Sequence, residues 1–187
     1  MRVAFVGPPG CGKGTQAKLL RDRLGFPSFS TGDALREEIA QGTDVGSRIK
    51  PYMNSGQLVP DSIVNDLVVK RLGRDDCAVD FVLDGYPRNV TQARTLAQVL
   101  KDLDRPLEAV ILFHVDDAVL EKRLLARRRA DDTEETVRTR LRLYHETARE
   151  LIGHYKKNRG LVHTVSAGSP VEHVYVRIAC LLLPEDS

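Results

Sequence analysis

Residues Gly7 to Thr15 read Gly-Pro-Pro-Gly-Cys-Gly-Lys-Gly-Thr and directly follow the apolar run Val3-Ala4-Phe5-Val6. A glycine-rich turn between a strand and a helix can cradle phosphate groups. Glycines let the backbone bend at positive φ and approach an anion closely. The N–H groups of such a turn, and of the helix behind it, point at the anion. Lys13 adds a mobile positive charge for the outer phosphates. The spacing departs from the strict pattern G-x-x-x-x-G-K-[ST]. Gly7, Gly12 and Lys13 fit it, but Gly14 holds the hydroxyl position and Thr15 comes one residue later. The alternative is a tight glycine turn without a ligand, and the strand–turn–helix context speaks against it.

A second feature is Phe81-Val82-Leu83-Asp84-Gly85. An acidic residue at the end of an apolar strand suits a Mg²⁺-nucleotide site beside a phosphate turn. Mg²⁺ gives up its water reluctantly, so Asp84 is expected to hold it through water. By itself Asp84 could equally cap the next turn. Arg36, Arg88, Arg127, Arg129 and Arg140 complete the set, each in or beside a segment able to face a cleft. Phosphoryl transfer asks a protein for positioning and charge cancellation more than for covalent chemistry. The planar, permanently charged guanidinium suits that task. Any single arginine is more often a solvated surface group. Arg138, Arg140 and Arg142 illustrate this, because the helical period alone does not choose between Arg138 and Arg140.

The elements that must position these residues alternate along the chain. Candidate strands are Arg2–Val6, Ser28–Phe29, Phe81–Asp84, Ala109–Val115 and Leu161–Ser166. Ala109–Val115 is a nearly continuous apolar run, as for a strand buried on both faces. Helical patterns lie between the strands. Gln16–Leu24 places Ala17, Leu20 and Leu24 on one face. Val137, Leu141, Tyr144, Ala148, Leu151 and Tyr155 form a longer stripe, with Asp132 and Glu135 as its candidate cap. The alternation predicts parallel βαβ units: a doubly wound, five-stranded α/β sheet with helices on both faces. Ligands in such folds bind at the carboxyl ends of the strands, where the glycine turn and Asp84 both fall. Thr31 to Pro60 carries two helical patterns without a strand and reads as an inserted helical subdomain. Ala126 to Asp132 is a short arginine-rich break. Pro184–Ser187 reads as a frayed end.

At 187 residues a single domain with a substantial core is expected. The net charge of +2 gives no argument for nucleic acid or membrane binding. No apolar run approaches a membrane span, and with a strand reading from Arg2 no signal peptide is expected. Cys11, Cys77 and Cys180 show neither zinc-ligand nor disulfide-scaffold spacing. A reducing, cytoplasmic location is expected.

Five motifs, in order, give the chain a specific resemblance. They are the phosphate turn, in the G-x-P-G-x-G-K-G-T form of nucleoside monophosphate kinases; Ser30-Thr31-Gly32-Asp33-Ala34-Leu35-Arg36; Gly56-Gln57-Leu58-Val59-Pro60-Asp61; Asp84-Gly85-Tyr86-Pro87-Arg88 with Gln92; and Arg129-Ala130-Asp131-Asp132-Thr133-Glu134-Glu135-Thr136. Nearly end to end, the sequence resembles the adenylate kinases with a short lid. The resemblance implies reversible transfer of the γ-phosphoryl group of MgATP to AMP, giving two ADP. It implies an AMP-binding subdomain over 30–59 and a lid over 126–132 within one domain, 1–187, acting as a monomer. Gly10, Cys11, Gly12, Lys13, Gly14 and Thr15, with Arg127 and the backbone at Gly168, would contact ATP. Thr31 and Gln92 would contact the adenine of AMP, with the backbone of Gln57, Leu58 and Val59 lining its pocket. Gly85, Tyr86 and Pro87 would border that site, while Arg36 and Arg88 hold the AMP phosphate. Arg129 and Arg140 would embrace the moving phosphoryl group and AMP, so that Lys13, Arg88, Arg129 and Arg140 form the catalytic set.

Departures from the family pattern are informative. Many relatives carry a long lid insertion, sometimes with a cysteine zinc site. Here only Ala126 to Ala130 separate Leu125 from Asp131, which excludes zinc. Short-lid relatives often have Gly where this chain has Arg128. The nearest rival is a pyrimidine nucleoside monophosphate kinase. Such relatives tend to have Ala at position 31 and Asn at position 92, where this chain has Thr31 and Gln92. A guanine-reading switch would need Asn-Lys-x-Asp, and that string does not occur.

Overall fold

The computed structural model describes residues 1–127, 129–157 and 160–183. Arg128 and the end read as frayed, Pro184–Ser187, lie outside the described residues. Five parallel strands form one sheet: β1 (Arg2–Val6), β2 (Ser28–Ser30), β3 (Phe81–Asp84), β4 (Ala109–His114) and β5 (Val162–Ser166), in the order β2-β3-β1-β4-β5. Among the described residues eight α-helices connect and follow them: α1 (Lys13–Leu24), α2 (Thr31–Ala40), α3 (Asp44–Ser55), α4 (Asp61–Leu72), α5 (Val90–Asp102), α6 (Asp117–Ala126), α7 (Glu134–Lys156) and α8 (Val171–Leu182).

The central strands are apolar because both of their faces are covered. Val3 and Phe5 of β1, with Ile111 and Phe113 of β4, pack against Ala17 and Leu20 of α1 and Val174, Ile178 and Leu182 of α8. The alternate residues Ala4, Val6 and Val110 pack on the other face against Ala93 of α5 and Leu151 and Tyr155 of α7. This is the period of two expected of strands. The Phe5 and Phe113 rings meet edge to face, 5.0 Å between centroids.

The segment expected as an inserted subdomain supplies α2 and α3, which pack closely on one another. A Cβ at Gly46 would stand 2.1 Å from the Glu38 carbonyl, so no other residue fits there without moving α2. The segment has no core of its own. Leu35, Ile49 and Val59 share one apolar cluster with Phe81 and Leu83 of β3 and Leu96 and Leu100 of α5.

Two expectations need correction. α1 begins at Lys13, three residues before the expected Gln16, because Gly12 at φ 100° caps it and ends the turn. The cap of α7 is Thr133, not Asp132 with Glu135. The Thr133 side chain accepts from the Thr136 N–H, and the Thr136 hydroxyl accepts from the Thr133 N–H. Asp132 is not available for capping, since its carboxylate is fully buried between two arginines.

Candidate active site

β1 and β3 lie side by side, with Phe5 opposite Asp84. The chain leaving β1 therefore turns directly beside the end of β3. Gly10 takes φ 83°, and a Cβ there would stand 2.8 Å from the Leu124 side chain. Any other residue would be strained in its backbone and crowded against α6. Lys13 Nζ donates to the carbonyls of Gly7 and Pro8, both at 2.8 Å, and so lies folded across its own turn. A Cβ at Gly14 would stand 3.2 Å from Asp84 Oδ2. A side chain at position 14 would thus crowd the Asp84 carboxylate, which would have to shift by a few tenths of an ångström.

The turn opens into a cavity of about 820 Å³ lined by residues of distant segments. Arg36 comes from α2, Arg88 from the loop after β3, Arg127 and Arg129 from the break after α6, and Arg140 from α7; all line this cavity with Lys13 and Asp84. Carboxylates hold most of these cations. Asp132 accepts from Arg127 through both of its oxygens, at 2.7 and 2.8 Å, and from Arg140 at 2.7 Å. Asp131 accepts from Arg140 at 2.6 Å and lies 3.7 Å from Arg36. Asp33 is hydrogen-bonded by Arg36 and lies 3.4 Å from Arg129. Arg140 also donates to the Met53 carbonyl of α3, at 3.2 Å. Arg88 instead donates to the Gly85 carbonyl, at 2.8 Å.

Charge and desolvation shape these groups. Burial alone pushes the Asp131 and Asp33 carboxyls up. The hydrogen bonds and charge of Arg140, with the charge of Arg36, more than offset this for Asp131, and Arg36 with Arg129 for Asp33. Both are held below the usual carboxylate range. Arg88 is exposed to the water of the cleft yet surrounded by its walls. Desolvation pushes its guanidinium down, opposed by Asp84 and assisted by Arg140 and Arg36. Arg129 is also pushed down, by burial and by Arg36 and Arg127. Crowding like charges costs free energy that a bound anion would recover.

A family model described as adenylate kinase matches residues 5–160. The adenylate kinase of Rhodococcus erythropolis is 46% identical over 182 residues, covering 97% of this chain and 99% of its own. That of a Synechococcus species is 46% identical over 181 residues, covering 97% and 98%. That of Thermobifida fusca is 45% identical over 181 residues, covering 95% of each. The chain belongs to the adenylate kinase family. It is therefore a nucleoside monophosphate kinase, a transferase.

Not all residues assigned from the sequence lie in the large cavity. Gly10, Cys11, Gly12, Lys13, Gly14, Thr15, Gln57, Leu58, Gly85 and Pro87 line it with the arginines. Gly168 itself does not, although its neighbours Ala167 and Ser169 do. Thr31, Val59 and Gln92 line an adjoining recess that shares Gln57, Leu58 and Arg88 with the cavity. Its volume is about 20 Å³, room for about one water. Thr31 donates to the Gly85 carbonyl at 3.0 Å, and Gln92 is hydrogen-bonded at both ends of its amide. Tyr86 stands behind the pocket, with its hydroxyl 2.7 Å from Asn65 Oδ1. Burial, with the charge of Asp61, pushes its phenol well above the usual range.

Burial separates the helix arginines. The Arg140 side chain is 15% exposed, whereas that of Arg138 is 75% exposed. Sequence reasoning missed Arg123, which lines the cavity and donates to the Ala167 carbonyl at 3.0 Å. It also missed the roles of Asp33, Asp131 and Asp132 as partners of the arginines. The one available signal was that all three stand inside motifs that also carry arginines.

Proposed function

We propose that this kinase transfers the γ-phosphoryl group of ATP to AMP, reversibly, giving two ADP, and that the residues of the cavity divide the work as follows. The N–H groups of Gly10–Thr15 and Lys13 hold the outer phosphates of ATP, with Arg127 and the backbone at Gly168 on its nucleoside side. Arg36 and Arg88 grip the AMP phosphate. Thr31, Gln92 and the backbone of Gln57, Leu58 and Val59 read its adenine, with Gly85, Tyr86 and Pro87 shaping that end. Arg129 and Arg140 close on the moving group, whose charge spreads over its outer oxygens as it leaves ADP. Lys13, Arg88, Arg129 and Arg140 thus stabilise the transition state, and no side chain becomes phosphorylated.

Adenylate kinases use Mg²⁺ with ATP. Asp84 fits that ion, since its carboxylate stands beside the lysine turn and offers oxygen to an ion that keeps most of its own water. In this reading the ion arrives with the nucleotide. Beside Asp84 such an ion would supply charge shielding to the outer phosphates. Zinc has no part in this reading, because residues 126–132 contain no cysteine. Residues 30–59 form the AMP-binding subdomain and 126–132 the lid of a monomeric, cytoplasmic enzyme. Among the described residues no helix is long and apolar enough to cross a membrane.

The observation that carries this reading is the convergence of Lys13, Asp84 and five arginines from separate segments on one cavity. The test is a scan of nucleoside monophosphates with MgATP, following formation of the diphosphate. AMP is expected to be the preferred acceptor, with activity lost in chelator. Preference for CMP or UMP, or a phosphorylated side chain on the path, would overturn it.

A further inference from the structure

We infer that Asp61 is a positioning residue for base selection: it fixes which end of the Gln92 amide faces the acceptor-nucleotide pocket. The inference rests on the reading of Gln92 as a base contact.

A glutamine amide has two chemically opposite ends, and a base reader works only if they cannot exchange. Here two groups settle the orientation. The Arg88 backbone N–H can only donate, and it meets Gln92 Oε1 at 2.8 Å. The Asp61 carboxylate can only accept when ionised, and it meets Gln92 Nε2 at 2.7 Å. Asp61 is itself fixed. It is the first residue of α4, and both its oxygens accept from Asn89 Nδ2 at 3.1 Å. Asn89 is fixed in turn, because its Oδ1 accepts from the Gln92 N–H at 2.8 Å as the cap of α5. The ring of contacts is consistent throughout, every donor meeting an acceptor.

One N–H and one oxygen lone pair of the Gln92 amide remain for a ligand. Adenine offers an acceptor at N1 and a donor at its amino group. Hypoxanthine offers the reverse, a donor at N1–H and an acceptor at its carbonyl. An amide free to turn over would serve either base, whereas one held by Asp61 serves adenine. Asp61 would thus act without touching the base.

The test compares AMP with IMP as acceptors for MgATP. Asp61→Ala is expected to lower the AMP-to-IMP ratio of kcat/KM by about tenfold, chiefly by raising KM for AMP, with KM for ATP within about twofold of wild type. Asp61→Asn keeps one acceptor oxygen and should lose less. In a Gln92→Ala background, adding Asp61→Ala should change the ratio by less than about twofold, because Asp61 acts through Gln92. A wild-type ratio in Asp61→Ala, together with a lowered one in Gln92→Ala, would overturn the role of Asp61 alone. So would equal losses for AMP and IMP, or an undiminished effect of Asp61→Ala in the Gln92→Ala background. A wild-type ratio in Gln92→Ala would overturn the base reading beneath it. Should Asp61→Ala fail to fold, seen as loss of ATP binding, Asp61→Asn carries the same comparison.

Discussion

The two ends of the cleft are built differently. At the phosphate turn, the shape is set by backbone. Gly10 and Gly12 take positive φ, and Gly10 and Gly14 have close neighbours. At the acceptor end, the shape is set by side chains that currently hold one another. Arg36, Arg129 and Arg140 pair with Asp33, Asp131 and Asp132, and the pocket behind them has room for about one water. A purine does not fit that space. On the proposed reading, the first end needs only Lys13 to leave the carbonyls of its own turn, whereas the other exchanges its carboxylates for the phosphates of its ligands and opens a pocket for a base. The ion pairs also span the segments expected to move, since Arg36–Asp131 and Arg129–Asp33 join α2 to the 126–132 break. Rearrangement at one of these segments therefore draws on the other.

The largest effects should come from cations that meet phosphate in the transition state. Lys13→Ala, Arg88→Ala and Arg129→Ala should each lower kcat by roughly 10²–10³-fold, the loss of a few kcal/mol of transition-state stabilisation. Single-turnover kinetics with saturating MgATP and AMP measures this. If Arg88→Ala raised only KM, the contribution of Arg88 would be ground-state binding.

The next effect separates resting contacts from working ones. Asp132→Ala leaves two arginines without their buried carboxylate and should destabilise the fold by about 3 kcal/mol in urea unfolding, the low end for breaking a buried pair because Arg127 is partly exposed. A loss below about 0.5 kcal/mol would place Asp132 among surface pairs.

Acid sharpens the same contrast. Asp131 and Asp33 have depressed pKa values in the folded protein, so the unfolded chain binds more protons as the pH falls. Their stabilisation is complete above the ordinary carboxylate pKa of about 3.9 and is lost as pH falls below it, through the depressed folded values. Unfolding measured from neutral pH down to about pH 3 should show this loss, and Asp131→Asn should flatten the slope. An unchanged slope would mean that the pairing of Asp131 does not contribute.

The smallest effects mark the edge of the site. Arg138 and Arg142 form exposed pairs with Glu134 and Glu146, and their alanine variants should stay within about 0.5 kcal/mol in stability, with turnover near wild type. Equal losses of turnover at Arg138→Ala and Arg140→Ala would show that burial is a poor guide to which arginine works.

What the sequence made legible follows from the range of the forces involved. The strands at the site could be read because one covered on both faces, such as residues 109–113, is a nearly continuous apolar run. The phosphate turn could be read because glycine at positive φ has few substitutes. Arg140 could not be separated from Arg138 by helical period, since the two border the same buried stripe, and only the resemblance selected it. The cap of α7 was misplaced because Asp132 is a good capping residue type. Its contacts with Arg127 and Arg140 come from five and eight residues away, which local preference does not register. The closed state of the Gln92 pocket is a property of packing between α2, α4 and the loop after β3, and no local pattern encodes it.

The central claim, that the acceptor end rearranges while the phosphate turn is already formed, is tested most directly by amide hydrogen exchange with and without a bisubstrate analogue joining both nucleosides. Bound analogue is predicted to slow exchange across residues 31–60 and 126–132 as well as at Gly7–Thr15, with the larger change in 31–60, because that segment must both open for the base and close over it. Protection confined to Gly7–Thr15, with 31–60 unchanged, would contradict the claim.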